Sequence, residues 1–173
     1  MCGLLYSSCA SDIKSDATED FNERLGLMKH RGPDATGTLV EAKQYFGFNR
    51  LSIVDLTSAS DQPFKVENKF VLIFNGEIYN YEYLRNELKK SLGNIFKTQG
   101  DTEVLGYWLK TYGTSRLSEL DGMFAFVFYD IEKQITFAAV DKYSIKPLYY
   151  RVVNKDLIIS SEIKPLLNYK GVK

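Results

Sequence analysis

Histidine, cysteine and proline are scarce in this chain, with one, two and four residues respectively among 173. So few His and Cys side chains supply no metal-ligand spacing, and no Gly-rich phosphate loop is present, so neither metal nor cofactor is expected. Two cysteines, Cys2 and Cys9, cannot build a disulfide framework, and a reducing compartment is the default. No linker rich in Pro, Gly or Ser interrupts the chain, and no repeat or low-complexity segment is visible. Residues 1–173 therefore read as one domain. No apolar run approaches the roughly 20 residues of a membrane-spanning helix. The opening MCGLLYSSCA has no Lys or Arg ahead of its short apolar stretch, as a signal peptide would, so a cytoplasmic protein is expected. An excess of charge is also missing. The 22 basic and 22 acidic residues balance, which argues against a nucleic-acid or anionic-membrane partner.

Aromatic residues, by contrast, are plentiful. The twelve Tyr and eleven Phe lie mostly in apolar alternating runs, which suits core packing better than a base-stacking surface. Residues 2–7 alternate and predict a strand that places the N-terminus inside a sheet. A helix is expected over 18–29, with Phe21, Leu25 and Met28 on one face and Arg31-Gly32-Pro33-Asp34 ending it. Strands are expected over 45–55 and 69–78, with a polar loop over 56–63 between them. Asn80 is expected to cap a second helix carrying Leu84 and Leu88 and stopped by Gly93. Asp101 is expected to cap a third, with Val104, Leu105, Trp108, Leu109 and Tyr112 at helical spacing. Strands over 123–129, 134–140, 148–153 and 157–161, then a short helix over 162–167, complete the pattern. Closely spaced strands with polar turns favour antiparallel pairing, and the grouping of helices between strand blocks suggests layered α+β packing.

Among residues able to do chemistry, Cys2 stands out by position. A thiol needs a base or a stabilised thiolate to act as a nucleophile. His30 is the single histidine, and nothing in the sequence supports a Cys–His pair. Removal of Met1 would instead leave Cys2 with a free α-amine, whose unperturbed pKa of ~7.7–8.0 lies close to the ~8.5 of the thiol. Such an amine can act as general base, as with N-terminal threonine nucleophiles, and Gly3 permits close backbone approach. On the Met1-Cys2-Gly3 triplet alone, Cys2 reads first as a small buried residue at a strand start, and the further motifs change that reading.

Further motifs follow in order: His30-Arg31-Gly32-Pro33-Asp34, Asn49-Arg50-Leu51-Ser52-Ile53-Val54-Asp55, Asn75-Gly76-Glu77-Ile78-Tyr79-Asn80 and Asp101-Thr102-Glu103-Val104. Asp121-Gly122-Met123-Phe124-Ala125-Phe126, Lys146-Pro147-Leu148-Tyr149-Tyr150 and Ser161-Glu162-Ile163-Lys164 complete the series. Together with Met1-Cys2-Gly3, these resemble the glutaminase domain of glutamine-dependent asparagine synthetases, class II amidotransferases of the N-terminal nucleophile (Ntn) hydrolase superfamily. The resemblance covers essentially the whole chain. It implies a four-layer αββα sandwich, two antiparallel sheets flanked by helices. It also implies hydrolysis of L-glutamine through a Cys2 thioester, with ammonia passing to an ATP-dependent synthetase domain or subunit; a homodimer stays open.

For the site, the resemblance implies Cys2 as nucleophile and Asn75 and Gly76 as oxyanion donors. Arg50 would fork onto the substrate α-carboxylate, helped by backbone groups of Leu51, Ser52, Ile53 and Val54, and Glu77 and Asp101 would take the α-ammonium. His30, Arg31 and Asp34 read as shaping a nearby loop, and Glu162 and Lys164 as structural. The chain ends at Lys173, about where the synthetase domain of that family would begin. It departs from the family pattern at Ser144, where a glycine is usual, and at Gly100, where Ser is common. A left-handed backbone at 144 would be strained by serine. Two rivals remain: a catalytically weak glutamine- or partner-binding module, and an Ntn amidase acting on another amide.

Overall fold

The computed structural model describes residues 1–9, 17–51, 61–153 and 155–167. Nine strands are formed among them: β1 (Gly3–Ser8), β2 (Ala35–Glu41), β3 (Gln44–Arg50), β4 (Phe64–Val66), β5 (Phe70–Ile78), β6 (Gly122–Asp130), β7 (Ile135–Val140), β8 (Tyr149–Val153) and β9 (Asp156–Ser160). The helices are α1 (Ala17–Gly26), α2 (Tyr81–Leu92), α3 (Asp101–Tyr112) and α4 (Lys164–Leu167). None of them is long and apolar enough to cross a membrane.

The strands make two sheets, ordered β2-β3-β1-β9-β8 and β4-β5-β6-β7, and every pairing is antiparallel. Alternation along each strand builds the layers. Leu4 and Tyr6 of β1 join Phe46 and Phe48 of β3 against Val71, Ile73, Val127 and Tyr129 of the other sheet. Leu5 points the opposite way, with Tyr45 and Ile158, to meet Phe21 and Leu25 of α1 and Leu166 of α4. On the far side, Leu72, Phe74, Phe126 and Phe128 pack under Leu84 and Leu88 of α2 and Val104, Leu105 and Trp108 of α3. The result is an αββα sandwich. The central strands β1, β3, β5, β6 and β9 are covered on both faces, which explains why they read as nearly continuous apolar runs, whereas β2, β7 and β8 stay partly exposed. Full burial of each large side chain contributes about 1.5–3 kcal/mol.

Two strands were not expected. β2 and β3 join through Ala42 and Lys43, both with positive φ (48° and 66°), and β4 and β5 through Glu67 and Asn68 (53° and 55°). Only Asn68 of these four belongs to the residues that usually mark such a turn. The first helix also ends earlier than expected. α1 stops at Gly26, and a 3-10 turn over Lys29–Arg31 follows, although Met28 is still buried on the predicted face. The capping assignments need correction too. Asn80 precedes α2, but its side chain makes no cap; it donates to the Glu119 carbonyl (2.8 Å) and accepts from the Asp121 amide (3.1 Å). Asp101 lies inside α3 as its first residue, and Gly100 takes the cap position without any side-chain bond.

Candidate active site

The antiparallel register of β1 and β3 sets Gly3 opposite Asn49, so Cys2 lies beside the end of β3 at Arg50 and Leu51. The other sheet brings Asn75 and Gly76 of β5 to the same end of the sandwich. There they share a cavity of about 160 Å³ with Cys2, Arg50, Leu51, Glu77 and Asp101. These seven predicted residues come together. Ser52, Ile53 and Val54 lie outside the described residues.

Cys2 is held at each of its polar atoms. Its N–H donates to Asn75 Oδ1 (3.1 Å), and its carbonyl accepts from Arg31 Nε (2.9 Å). Its Sγ accepts from the Leu51 amide at 3.3 Å and donates toward the Leu51 carbonyl at 3.6 Å. Burial pushes the thiol pKa up from its ordinary value. The Leu51 hydrogen bond and the positive charges of the chain terminus, Arg50 and Arg31 offset this only in part. A thiol raised in this way needs a base. His30 is not placed to be one, because its Nε2 bonds Glu162 Oε1 (2.8 Å) and its side chain is 59% exposed, off the cavity. While Met1 is attached, the Cys2 nitrogen is an amide. Met1 itself lines the cavity and is 56% exposed, so its loss would both free an amine and widen the mouth.

Asn75 is 2% exposed and works at one end only. Its Oδ1 takes the Cys2 N–H, whereas its buried Nδ2 has no hydrogen-bond partner among the described residues. A buried amide donor left unmatched costs about 1–3 kcal/mol, and a ligand acceptor in the cavity that Asn75 lines would relieve that cost. The neighbouring Gly76 has φ 154°, and a Cβ there would lie 2.1 Å from the Met123 carbonyl. No other residue fits.

The charged groups of the cavity are already engaged. Arg50, mostly buried, forms an ion pair with the half-exposed Asp61. Asp101 Oδ2 accepts from the Ile78 amide (2.9 Å). Its pKa is pushed up chiefly by burial, with the nearby Glu77 charge adding to this, against the pull of the Ile78, Asp101 and Thr102 amides. A cationic amine placed between Glu77 and Asp101 would relieve that crowding.

Sequence reasoning passed over several residues of the wall. Gln62 uses its side-chain amide as a substitute strand edge, accepting from the Phe74 amide (2.6 Å) and donating to the Phe74 carbonyl (3.0 Å). Lys146, only 8% exposed, lines the cavity beside Met123. Its loop is organised by Asp141, whose carboxylate accepts four backbone amides, from Phe124, Tyr143, Ile145 and Lys146. Burial pushes the Asp141 pKa up, but those amides outweigh it and hold the group below its ordinary value. Arg31 was read as a loop residue, yet it reaches the Cys2 carbonyl. Gly32 permits this approach, since a Cβ there would lie 2.2 Å from the Asn49 carbonyl. Among the described residues, no group of three His, Cys, Asp or Glu side chains is arranged to hold a metal.

Comparison with known proteins agrees with this arrangement. A sequence model of the glutamine amidotransferase domain matches residues 1–173. Asparagine synthetase [glutamine-hydrolyzing] 1 of Bacillus subtilis is 40% identical over 170 residues, covering 96% of this chain and 27% of that protein. Amidase chyE of Penicillium rubens is 37% identical over 180 residues, covering 98% of this chain and 26% of its own. This chain thus spans about a quarter of the length of these relatives. Among solved structures, the glutamine phosphoribosylpyrophosphate amidotransferase of B. subtilis superimposes with a TM-score of 0.75 at 21% identity. That match covers 95% of this chain and 43% of that one, and it carries the fold.

Proposed function

Because the chain belongs to the glutamine amidotransferase domain family, we propose that residues 1–173 form a glutaminase domain that hydrolyses L-glutamine to L-glutamate and ammonia. The nucleophile is Cys2 after removal of Met1. The observation that carries this reading is the double use of Asn75. One end of its amide holds the nitrogen of the nucleophile, and the other is a buried donor with no partner among the described residues, on a side chain that lines the cavity.

In this mechanism the Cys2 α-amine takes the thiol proton, directly or through a water, and Sγ attacks the side-chain carbonyl carbon of glutamine. The carbonyl oxygen becomes an oxyanion that Asn75 Nδ2 and the Gly76 backbone N–H stabilise. Collapse breaks the C–N bond, and the ammonium on Cys2 returns its proton to the leaving nitrogen, so that ammonia departs and a γ-glutamyl thioester remains. Water, deprotonated by the same amine, then attacks the thioester, releasing glutamate and restoring the thiol. Arg50 takes the α-carboxylate, with the backbone of 51–54 beside it, while Glu77 and Asp101 take the α-ammonium. No cofactor is required. The ammonia passes to a synthetase-type acceptor domain or subunit, as the names of the relatives suggest; the sequence expectation of a cytoplasmic protein belongs to the same proposal.

One observation favours the rival of a weak binding module, namely the occupation of Arg50 by Asp61. A single comparison decides. Protein whose intact mass shows loss of Met1 is expected to release glutamate, and Cys2→Ala is expected to release none above background. Equal rates from the two would remove the catalytic assignment.

A further inference from the structure

The Ser160-Ser161-Glu162 segment at the end of β9 has no part in the chemistry above, yet it is wired into the nucleophile. Ser160 pairs with Leu5 in the sheet, and the Glu162 amide donates to Ser160 Oγ (3.2 Å). Ser161 grips the next residue on both sides. Leu4 N–H donates to Ser161 Oγ (3.1 Å), and the Ser161 amide donates to the Leu4 carbonyl (3.0 Å). Glu162 Oε1 then accepts from Arg31 NH1 (3.2 Å) and from His30 Nε2 (2.8 Å). Arg31 in turn donates from Nε to the Cys2 carbonyl (2.9 Å).

Arg31 lies outside the strands, in the 3-10 turn after α1, so no ladder of backbone bonds fixes where its guanidinium sits. Glu162 is the one carboxylate paired with it among the described residues, and the Arg31 side chain is 10% exposed, too buried for water to replace that partner freely. The path from β9 to the reacting atom is therefore continuous: sheet register, Glu162, Arg31, Cys2 carbonyl. We propose that Glu162 is a positioning residue which, by orienting Arg31 onto the Cys2 carbonyl, sets the place of Sγ for attack. The inference rests on the glutaminase reading. It adds to that reading a residue that touches neither substrate nor thiol.

The geometry makes a distinctive prediction. Both contacts of Glu162 go to the same oxygen, so a glutamine at this position can still accept both bonds, whereas alanine can accept neither. Misplacing a reacting group by about 1 Å costs on the order of 100-fold, so Glu162→Ala should lower kcat for glutamine by roughly 10- to 100-fold. KM should stay within about twofold, because the groups proposed to hold substrate are untouched. Glu162→Gln should recover most of the lost kcat. In parallel, 15N-arginine labelling and NMR would follow solvent exchange of the Arg31 Nε–H, expected to speed up roughly tenfold or more in Glu162→Ala and to return toward wild type in Glu162→Gln. Wild-type kcat in Glu162→Ala, a change confined to KM, unchanged Nε–H exchange, or a glutamine variant as impaired as the alanine one would each overturn the proposal. If wild-type protein shows no Cys2-dependent glutamate release, the glutaminase reading fails, and the exchange measurement still judges the link from Glu162 to Arg31.

Discussion

Of the groups that line the cavity, the buried donor Asn75 Nδ2 has no partner among the described residues, whereas Arg50 and Asp101 each have one already. The reacting groups and the charged groups are built from different material. Strand backbone of both sheets sets the first, through the β1–β3 register and the β5–β6 pairing that seats Gly76 against the Met123 carbonyl. Long charged side chains set the second. Developing negative charge is best met by donors that need not reorganise, and an unmatched amide held in a sheet supplies this at a standing cost in stability. A zwitterionic substrate, on the other hand, brings charges that can replace those already present. Exchange of partners there tunes affinity without disturbing the reacting atoms.

The largest expected effect separates the reacting groups from the charged ones most directly. Asn75→Asp keeps an acceptor for the Cys2 nitrogen and removes the donor. On the proposed mechanism kcat should fall by about 10²–10³-fold, the cost of losing one oxyanion donor, with KM little changed. A loss expressed mainly in KM would mean that Asn75 binds substrate and that the contrast is misdrawn. A smaller effect of the opposite sign belongs to the charged groups. Asp61→Asn removes one carboxylate that competes with substrate for Arg50, and partly exposed pairs of this kind contribute about 0.2–1 kcal/mol. Steady-state kinetics should show KM for glutamine falling by up to about fivefold at unchanged kcat. If KM rises instead, Asp61 orients the guanidinium for substrate and does not compete with it.

Much of the architecture is legible in the sequence because the central strands are buried on both faces and say so in their composition. β5 and β6 read as apolar runs, and α2 stops at Gly93 (φ 74°), where its amide caps the Lys89 carbonyl (3.0 Å). β2 was missed for a local reason: Ala42 and Lys43 adopt a left-handed turn with neither Gly nor Asn, since pairing along all of Ala35–Glu41 outweighs the turn's own preference. Asn80 and Asp101 were placed correctly at helix starts, but tertiary partners share or take their bonds. The Asn80 side chain goes to the 119–121 loop, and the Asp101 carboxylate reaches the Ile78 amide as well as the amides of its own first turn. Cys2, Arg50, Leu51, Asn75, Gly76, Glu77 and Asp101 were anticipated from their motifs and line the cavity, whereas Met123 and Lys146 stand in motifs too and were passed over. Gln62 was not anticipated, because its contribution is a side-chain imitation of strand backbone that no spacing encodes. Arg31 was seen as a loop residue because its reach to Cys2 depends on a fold that brings residues 2 and 31 together.

The smallest effect tests whether the reacting end draws its rigidity from strand and carboxylate alone. Ser144 lies in the loop that backs β6 and has φ 53°, the left-handed conformation that glycine adopts without penalty. A side chain in that region costs about 1–2 kcal/mol, while glycine gives back roughly 0.5–1 kcal/mol through the greater freedom of the unfolded chain. Ser144→Gly should therefore stabilise the protein by about 0.5–1 kcal/mol, a rise of roughly 1–4 °C in Tm for a domain of this size. Kinetics should not change. What holds the loop against β6 is the Asp141 carboxylate, with its bonds to the Phe124, Tyr143, Ile145 and Lys146 amides, and Ser144 is exposed beside it. A thermal melt and a glutamine titration on the same preparation suffice. A gain in stability paired with a loss of kcat would show that strain at Ser144 helps to hold the oxyanion strand, and the reacting end would then owe part of its order to a loop.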